Sequence, residues 1–219
     1  MRDFRYRLFW PPFRRIMALV FHFLGGLRHR GAENVPRVGG VLICPNHVSD
    51  ADAPAVALTL PRDAYYMAKA QLFDLPVLGP LMRLFGGFPV RRGSADRTAL
   101  RQAEALLKAG EAVVIFPEGG GNAENTLQPL FAGPLLLALR TRVPVIPVAI
   151  RNSGKMWTHG APLPRRSEVP VTVTYGEPLD LSDLYGRKDG PEAATRRLTE
   201  HLAAMLGQPI PTGRPPERD

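Results

Sequence analysis

The sequence predicts a single α/β domain, its central sheet mostly parallel or mixed and flanked by helices, with an N-terminal membrane-binding helical segment in front. Three observations predict it. Short apolar runs with strand character, such as Val41–Cys44 and Val171–Tyr175, alternate with segments whose apolar residues recur at helical spacing. Many of the 23 prolines and 21 glycines fall between those runs, where they mark turns. A chain of 219 residues, 45% hydrophobic, suits one domain able to bury a real core.

Residues 1–30 hold seven arginines against one acid, Asp3, and so carry +6 of the chain's net +8. Between the arginines lie Phe4, Tyr6, Leu8, Phe9 and Trp10, then the greasy stretch Ile16 to Leu24. Basic residues beside bulky apolar ones suit an anionic phospholipid surface rather than nucleic acid, which calls for spread charge and exposed aromatics. A spanning helix needs about 20 apolar residues. Here Arg14 and Arg15 interrupt the run, and Pro11-Pro12 is expected to break its start. No small-x-small cleavage site follows Leu24. The segment reads as a peripheral or monotopic anchor, with residues 31–206 as the main domain and 207–219, proline-rich and charged, as an unstructured tail.

Along the main domain, Val41–Cys44 reads as a strand after Gly39-Gly40, residues 53–60 as a short helix and 64–68 as a strand. Leu75 to Phe88, with only Arg83 charged, reads as core or as the wall of an apolar groove. A short strand ends at Val90. Ser94 is expected to cap a helix with Asp96 in its first turn and Gly110 at its close. Ala112 to Phe116 is a buried strand and Leu135 to Leu139 helical. Val145 to Ile150 is a strand that Pro144 and Pro147 suggest lies at an edge or in an irregular ladder. Val171 to Tyr175 alternates as a strand, and Pro191 opens a last helix to about Leu206. The single cysteine, Cys44, lies in an apolar run and reads as buried and inert; it excludes an intrachain disulfide and a cysteine-based metal site.

Chemistry belongs where strands end. Directly after strand 41–44 stands Asn46-His47-Val48-Ser49-Asp50-Ala51-Asp52. A histidine near a carboxylate is a general base with its orienter: the carboxylate holds one ring nitrogen while the other takes a hydroxyl proton. Spacing alone leaves Asp50 and Asp52 both open as the partner. After strand 112–116 stands Phe116-Pro117-Glu118-Gly119-Gly120-Gly121, whose glycines let backbone approach a ligand and whose acid suits a ligand hydroxyl. Gly86 to Arg92 ends in two arginines, Arg91 and Arg92, able to grip a phosphate. Val143 to Ile150 carries no reactive group and can only shape a site.

These four blocks, in this order, resemble the glycerolipid acyltransferase family, of which lysophosphatidate acyltransferases are the best-known members. Its N-H-x-S-x-x-D block is matched by Asn46, His47, Ser49 and Asp52, its G-x-x-x-x-x-R block by Gly86 and Arg92, and its F-P-E-G block by Phe116 through Gly119. Its V-P-V-x-P block is matched by Val143, Pro144, Val145 and Pro147. Lys69 with Leu72-Phe73 resembles the family's lysine-containing stretch. The resemblance covers roughly residues 31–180 and favours Asp52 over Asp50.

The resemblance implies direct acyl transfer from acyl-CoA or acyl-carrier protein to the sn-2 hydroxyl of lysophosphatidate, forming phosphatidate at the cytoplasmic face of the cell membrane. His47 would be the base and Asp52 its orienter. Arg92, Glu118 and Gly119 would bind the glycerol phosphate, with Lys69 and Arg91 as further phosphate contacts. No cofactor and no metal is implied, and no nucleic-acid partner. One departure bears on the acceptor: members acting on lysophosphatidate commonly continue F-P-E-G with Thr-Arg or Ser-Arg, and here those positions are Gly120 and Gly121. Another lysolipid acceptor, thioester hydrolysis and non-catalytic membrane binding are the alternatives.

Overall fold

A computed structural model of the chain describes residues 4–91, 96–213 and 215. Seven strands form one sheet: β1 (Leu27–Arg30), β2 (Val41–Pro45), β3 (Ala64–Lys69), β4 (Gly87–Val90), β5 (Ala112–Val114), β6 (Val145–Arg151) and β7 (Val171–Tyr175), in the order β1-β7-β6-β2-β5-β3-β4. Every pairing is parallel except β6 with β7. The helices are α1 (Phe4–Phe23), α2 (Asp52–Thr59), α3 (Leu78–Leu84), α4 (Arg97–Lys108), α5 (Gly133–Thr141), α6 (Ser153–Met156) and α7 (Gly190–Leu206). The mostly parallel sheet flanked by helices is the architecture the sequence predicts.

The central strands are apolar throughout because both sheet faces are covered. Alternate residues of β2 serve opposite cores. Leu42 and Cys44 join Val113, Val145 and the apolar stripes of α4, α5 and α7. Val41 and Ile43 join Val114, Ile146, Tyr175, α2 and Phe21 of α1. Cys44 is fully buried and burial pushes its thiol pKa up, so it is a packing residue.

Four expectations are corrected. Helix α1 does not break at Pro11-Pro12 but runs through them. The carbonyls that lose donors belong to Arg7 and Leu8, both exposed, where water can serve them. Tyr6, Trp10, Phe13, Met17 and Phe21, at helical spacing, face the domain, and the Tyr6 hydroxyl donates to Asp63 Oδ1 at 2.6 Å. The basic stretch Leu27–Arg30, grouped with the anchor, is instead strand β1, paired with β7 from Leu27↔Val171 to Arg30↔Thr174. Strand β6 is interior, between β7 and β2, so the edge is excluded and the irregular ladder remains of the two readings of its prolines. Pro147 is tolerated because it faces the last residues of β7, where its carbonyl still accepts from Gly176 N at 2.9 Å and only one ladder bond is forfeited. Ser94 lies outside the described residues, and the cap of α4 is Asp96, whose carboxylate accepts from Thr98 N and Ala99 N at 3.0 Å each.

Candidate active site

Parallel strands end at the same sheet edge, so the loops after β2, β3, β4, β5 and β6 gather there. The loop after β2 carries His47, the end of β3 carries Lys69, and the residue after β4 is Arg91. The loop after β5 carries Glu118 to Gly121, and the segment after β6 leads through α6 to Trp157 and His159. Arg92 lies outside the described residues.

His47 Nδ1 lies 2.9 Å from Asp52 Oδ2, the carboxylate fully buried and the imidazole side chain 14% exposed. The same Oδ2 accepts from Val48 N and Ser49 N, both at 2.8 Å, so the acid at the first turn of α2 also folds the loop that carries its histidine. With Nδ1–H directed at a carboxylate, Nε2 is the nitrogen able to take a proton. The imidazole packs on Phe116, centroids 4.3 Å apart. Two flanking side chains fix the loop to the neighbouring strand β6 and to the segment after it. Asn46 accepts from Ile150 N at 2.7 Å and donates to Ile150 O at 3.1 Å, and Ser49 Oγ donates to Ser153 O and Trp157 O. Asp50, the other acid that spacing allowed, pairs with His159 Nδ1 at 2.7 Å.

Glu118, a ligand contact by its sequence expectation, is turned into the protein. Its side chain is fully buried. Oε1 accepts from His47 N at 2.6 Å, and Oε2 accepts from Gln128 N at 3.1 Å and Asn122 Nδ2 at 3.3 Å. It ties the His47 loop to the loop after β5. Gly119, with φ +72, reaches the cleft; its backbone favours glycine, and a Cβ there, 2.5 Å from the Phe131 ring, would have to displace that ring.

His47 opens onto a cleft of about 1180 Å³. Its walls are mainly apolar: Tyr6, Trp10, Phe13 and Met17 of α1, with Leu78, Leu81, Met82 and Phe85 from the stretch read as core or groove wall. Phe85 packs on Phe13 at 4.4 Å and on Trp10 at 5.2 Å, joining the two walls. Lys69, Arg91, Asp50 and Asp96 also line it. Lys69 and Val90 are register partners, so Arg91 directly follows the β4 residue paired with Lys69. Asp96 Oδ2 accepts from Arg91 N at 2.9 Å. Among the described residues no group of three or more His, Cys, Asp or Glu side chains converges as a metal site would.

Sequence reading left four contributors to this geometry without a role. Asn46 and Ser49 match the first block, but their work is visible only against β6 and α6. Asn122 follows the glycines as an unremarkable loop residue. His159 carries no periodic or motif signal and lies 109 positions from its partner Asp50.

Comparison with known proteins gives a consistent set of likenesses. The family model described as Acyltransferase matches residues 26–151. A 1-acyl-sn-glycerol-3-phosphate acyltransferase of Bacillus subtilis is 28% identical over 192 residues, covering 86% of this chain and 92% of the relative. One of Streptococcus pneumoniae is 24% identical over 197 residues, covering 88% and 71%. A chloroplastic one of Brassica napus is 29% identical over 159 residues, covering 69% of this chain and 46% of the longer relative. The crystal structure of the 1-acyl-sn-glycerophosphate acyltransferase PlsC from Thermotoga maritima superposes with a TM-score of 0.75 at 24% identity, covering 94% of this chain and 83% of that one, and so shares the fold.

Proposed function

The chain belongs to the Acyltransferase family, and from that premise we propose that it moves a fatty acyl group from acyl-CoA or acyl-carrier protein to the sn-2 hydroxyl of lysophosphatidate, forming phosphatidate. The observation that carries the reading is the His47–Asp52 pair, fixed by buried hydrogen bonds and opening onto a large apolar cleft with Lys69 and Arg91 on its wall. The names of the relatives support the acceptor.

In this reading His47 Nε2 removes the proton of the acceptor hydroxyl while Nδ1–H stays on Asp52 Oδ2. The oxygen attacks the thioester carbonyl, and backbone N–H groups hold the oxyanion. The tetrahedral intermediate collapses with cleavage of the C–S bond, and the proton on His47 passes to the departing thiolate. Ester and free thiol result, with no covalent acyl-enzyme and no cofactor. Acyl chains lie between α1 and α3. Arg91 and Lys69 face the phosphate, to which the family resemblance adds Arg92 as a contact, and Glu118 acts by holding the His47 loop while Gly119 lends backbone to the substrate.

The enzyme works at a membrane surface. No described helix is long and apolar enough to cross a membrane. Helix α1 turns Leu8, Phe9, Ile16, Leu19 and Phe23 outward, each at least half exposed, beside Arg7 and Arg15. Such a face suits an anionic bilayer, on the cytoplasmic side where thioester donors occur.

Thiol release from palmitoyl-CoA, with and without lysophosphatidate, on the native chain and His47→Ala, tests the reaction. Release that needs both acceptor and His47 supports it. Release without acceptor means hydrolysis. A folded His47→Ala protein with near-normal rate removes the mechanism.

A further inference from the structure

Gly121 stands where an arginine commonly follows the F-P-E-G block, and the structure supplies a reason for the glycine. Its φ is not in the left-handed region, so the backbone does not require it. A Cβ at this buried position would lie 2.5 Å from His159 Nδ1 and 2.7 Å from its Cγ. The imidazole of His159 fills the space that a side chain at 121 would enter.

That imidazole is held by Asp50. Oδ1 of the carboxylate is 2.7 Å from His159 Nδ1, and Oδ2 accepts from Gly160 N at 3.0 Å. Asp50 lies in the His47 loop and lines the cleft. The His159 ring centroid is 6.0 Å from that of His47. A second histidine–carboxylate pair therefore stands beside the first. The two differ in burial: Asp52 is sealed, whereas His159 and Asp50 are each about one-third exposed.

We propose that His159, braced by Asp50, contacts the acceptor's phosphate in place of the arginine this chain lacks, and so sets acceptor specificity. The inference rests on lysophosphatidate being the acceptor. In that molecule only a C–C–O bridge separates the reacting hydroxyl from phosphorus, so the groups that hold them must be neighbours, as His47 and His159 are. With Nδ1–H committed to Asp50, an imidazolium formed against a phosphate donates Nε2–H to one of its oxygens. One donor replaces the forked pair of a guanidinium.

The pair is not needed to hold the turn in which His159 lies. Ser49 bridges to Thr158, Ser49 Oγ donates to Ser153 O and Trp157 O, Thr158 Oγ1 donates to Gly154 O, and Trp157 Nε1 donates to Ala161 O. His159→Ala is therefore expected to fold.

The test compares native chain, His159→Ala, Gly121→Arg and the double variant by thiol release. Lysophosphatidate and then 1-monoacylglycerol, which lacks the phosphate, serve as acceptor. Removing one charge-assisted contact should raise the KM for lysophosphatidate about ten- to hundredfold in His159→Ala. The kcat, the KM for palmitoyl-CoA and the rate with monoacylglycerol should hold. Gly121→Arg alone should be impaired, because the new side chain meets the ring. In the double variant the arginine has the vacated space, and the KM should recover. An unchanged KM in His159→Ala, or a rise in both KM values together with a fall in kcat and in thermal stability, overturns the proposal and leaves the acyltransferase reading standing. A native chain with no turnover on lysophosphatidate overturns the acceptor assignment, and the role of His159 with it.

Discussion

Replacing Asp52 by asparagine separates two things a carboxylate does for a histidine base: fixing its tautomer and stabilising its charged form. Oδ2 of Asp52 faces three donors, His47 Nδ1–H at 2.9 Å and the N–H groups of Val48 and Ser49 at 2.8 Å, while the buried Oδ1 has no partner among the described residues. The side-chain amide introduced by Asp52→Asn has two orientations. One sets its oxygen against the three donors; the other sets NH₂ against them and, even with the His47 tautomer inverted so that Nδ1 accepts, leaves the N–H groups of Val48 and Ser49 unsatisfied, at about 1–3 kcal/mol each. The first therefore wins, and the tautomer of His47 is kept. What is lost is the negative charge beside the imidazolium. A hydrogen bond to a charged group contributes about 1.5–3 kcal/mol, against about 1 for a neutral one. The loss expected in kcat is thus about 10- to 100-fold, not the roughly 10⁴-fold that follows when an Asp→Asn change inverts the tautomer. The amide NH₂ left in the unpartnered Oδ1 position should also lower unfolding stability by about 1–3 kcal/mol. Saturating-substrate thiol release and urea titration measure both quantities. A native kcat would mean that Asp52 does not support the charged base. A loss of roughly 10⁴-fold would mean that the backbone donors do not orient the side chain.

Three further perturbations follow from the same geometry. Glu118→Gln must set an NH₂ against at least one of the donors His47 N, Gln128 N and Asn122 Nδ2. It should lose about 2–4 kcal/mol of stability and lower kcat more than it raises the KM for lysophosphatidate; a selective rise in KM would instead make Glu118 a substrate contact. Charging the outward face of α1 with Leu19→Glu and Phe23→Glu removes two apolar side chains, each able to contribute about 1.5–3 kcal/mol on burial in lipid. Activity on vesicle-borne acceptor should fall at least about tenfold more than on dispersed acceptor, and equal losses would count against membrane docking by this face. Asp96→Ala removes the cap of α4 and should cost about 1 kcal/mol. The N–H groups of Arg91, Ala99 and Thr98 hold the Asp96 carboxyl below its ordinary value. Its contribution is therefore present above the unfolded carboxylate pKa of about 4 and lost as pH falls through the lower folded one. The native and Asp96→Ala stability curves should converge in acid, and a constant gap would contradict that origin.

The parts of the fold that depend on local pattern were legible. Val41–Cys44 and Val171–Tyr175 are strands, and the run Ala112 to Phe116 is one over Ala112–Val114, because runs of apolar, largely β-branched residues have few other stable homes. Helix α7 is bounded by Pro191 and Gly207, as capping rules require. Local rules failed where a distant partner decides. Pro11-Pro12 would break an isolated helix, yet α1 continues because Trp10, Phe13 and Phe85 pack together and the orphaned carbonyls meet water. Pro147 suggested an edge or an irregular ladder, and β6 is central because the missing N–H falls where β7 ends. Leu27–Arg30 read as part of a basic anchor because a four-residue strand has no signature until β7 lies beside it.

By itself the sequence determined the fold class and the family to which the chain belongs, because each depends on residue type and spacing along a short stretch of chain. Tertiary structure alone decided which oxygen of Asp52 meets which donor, that Glu118 turns inward to brace the His47 loop, and that Asp50 is taken by a histidine 109 positions away. The physical reason is that orientation and burial are set by groups which only the parallel sheet, gathering the ends of five strands at one edge, brings within hydrogen-bonding distance.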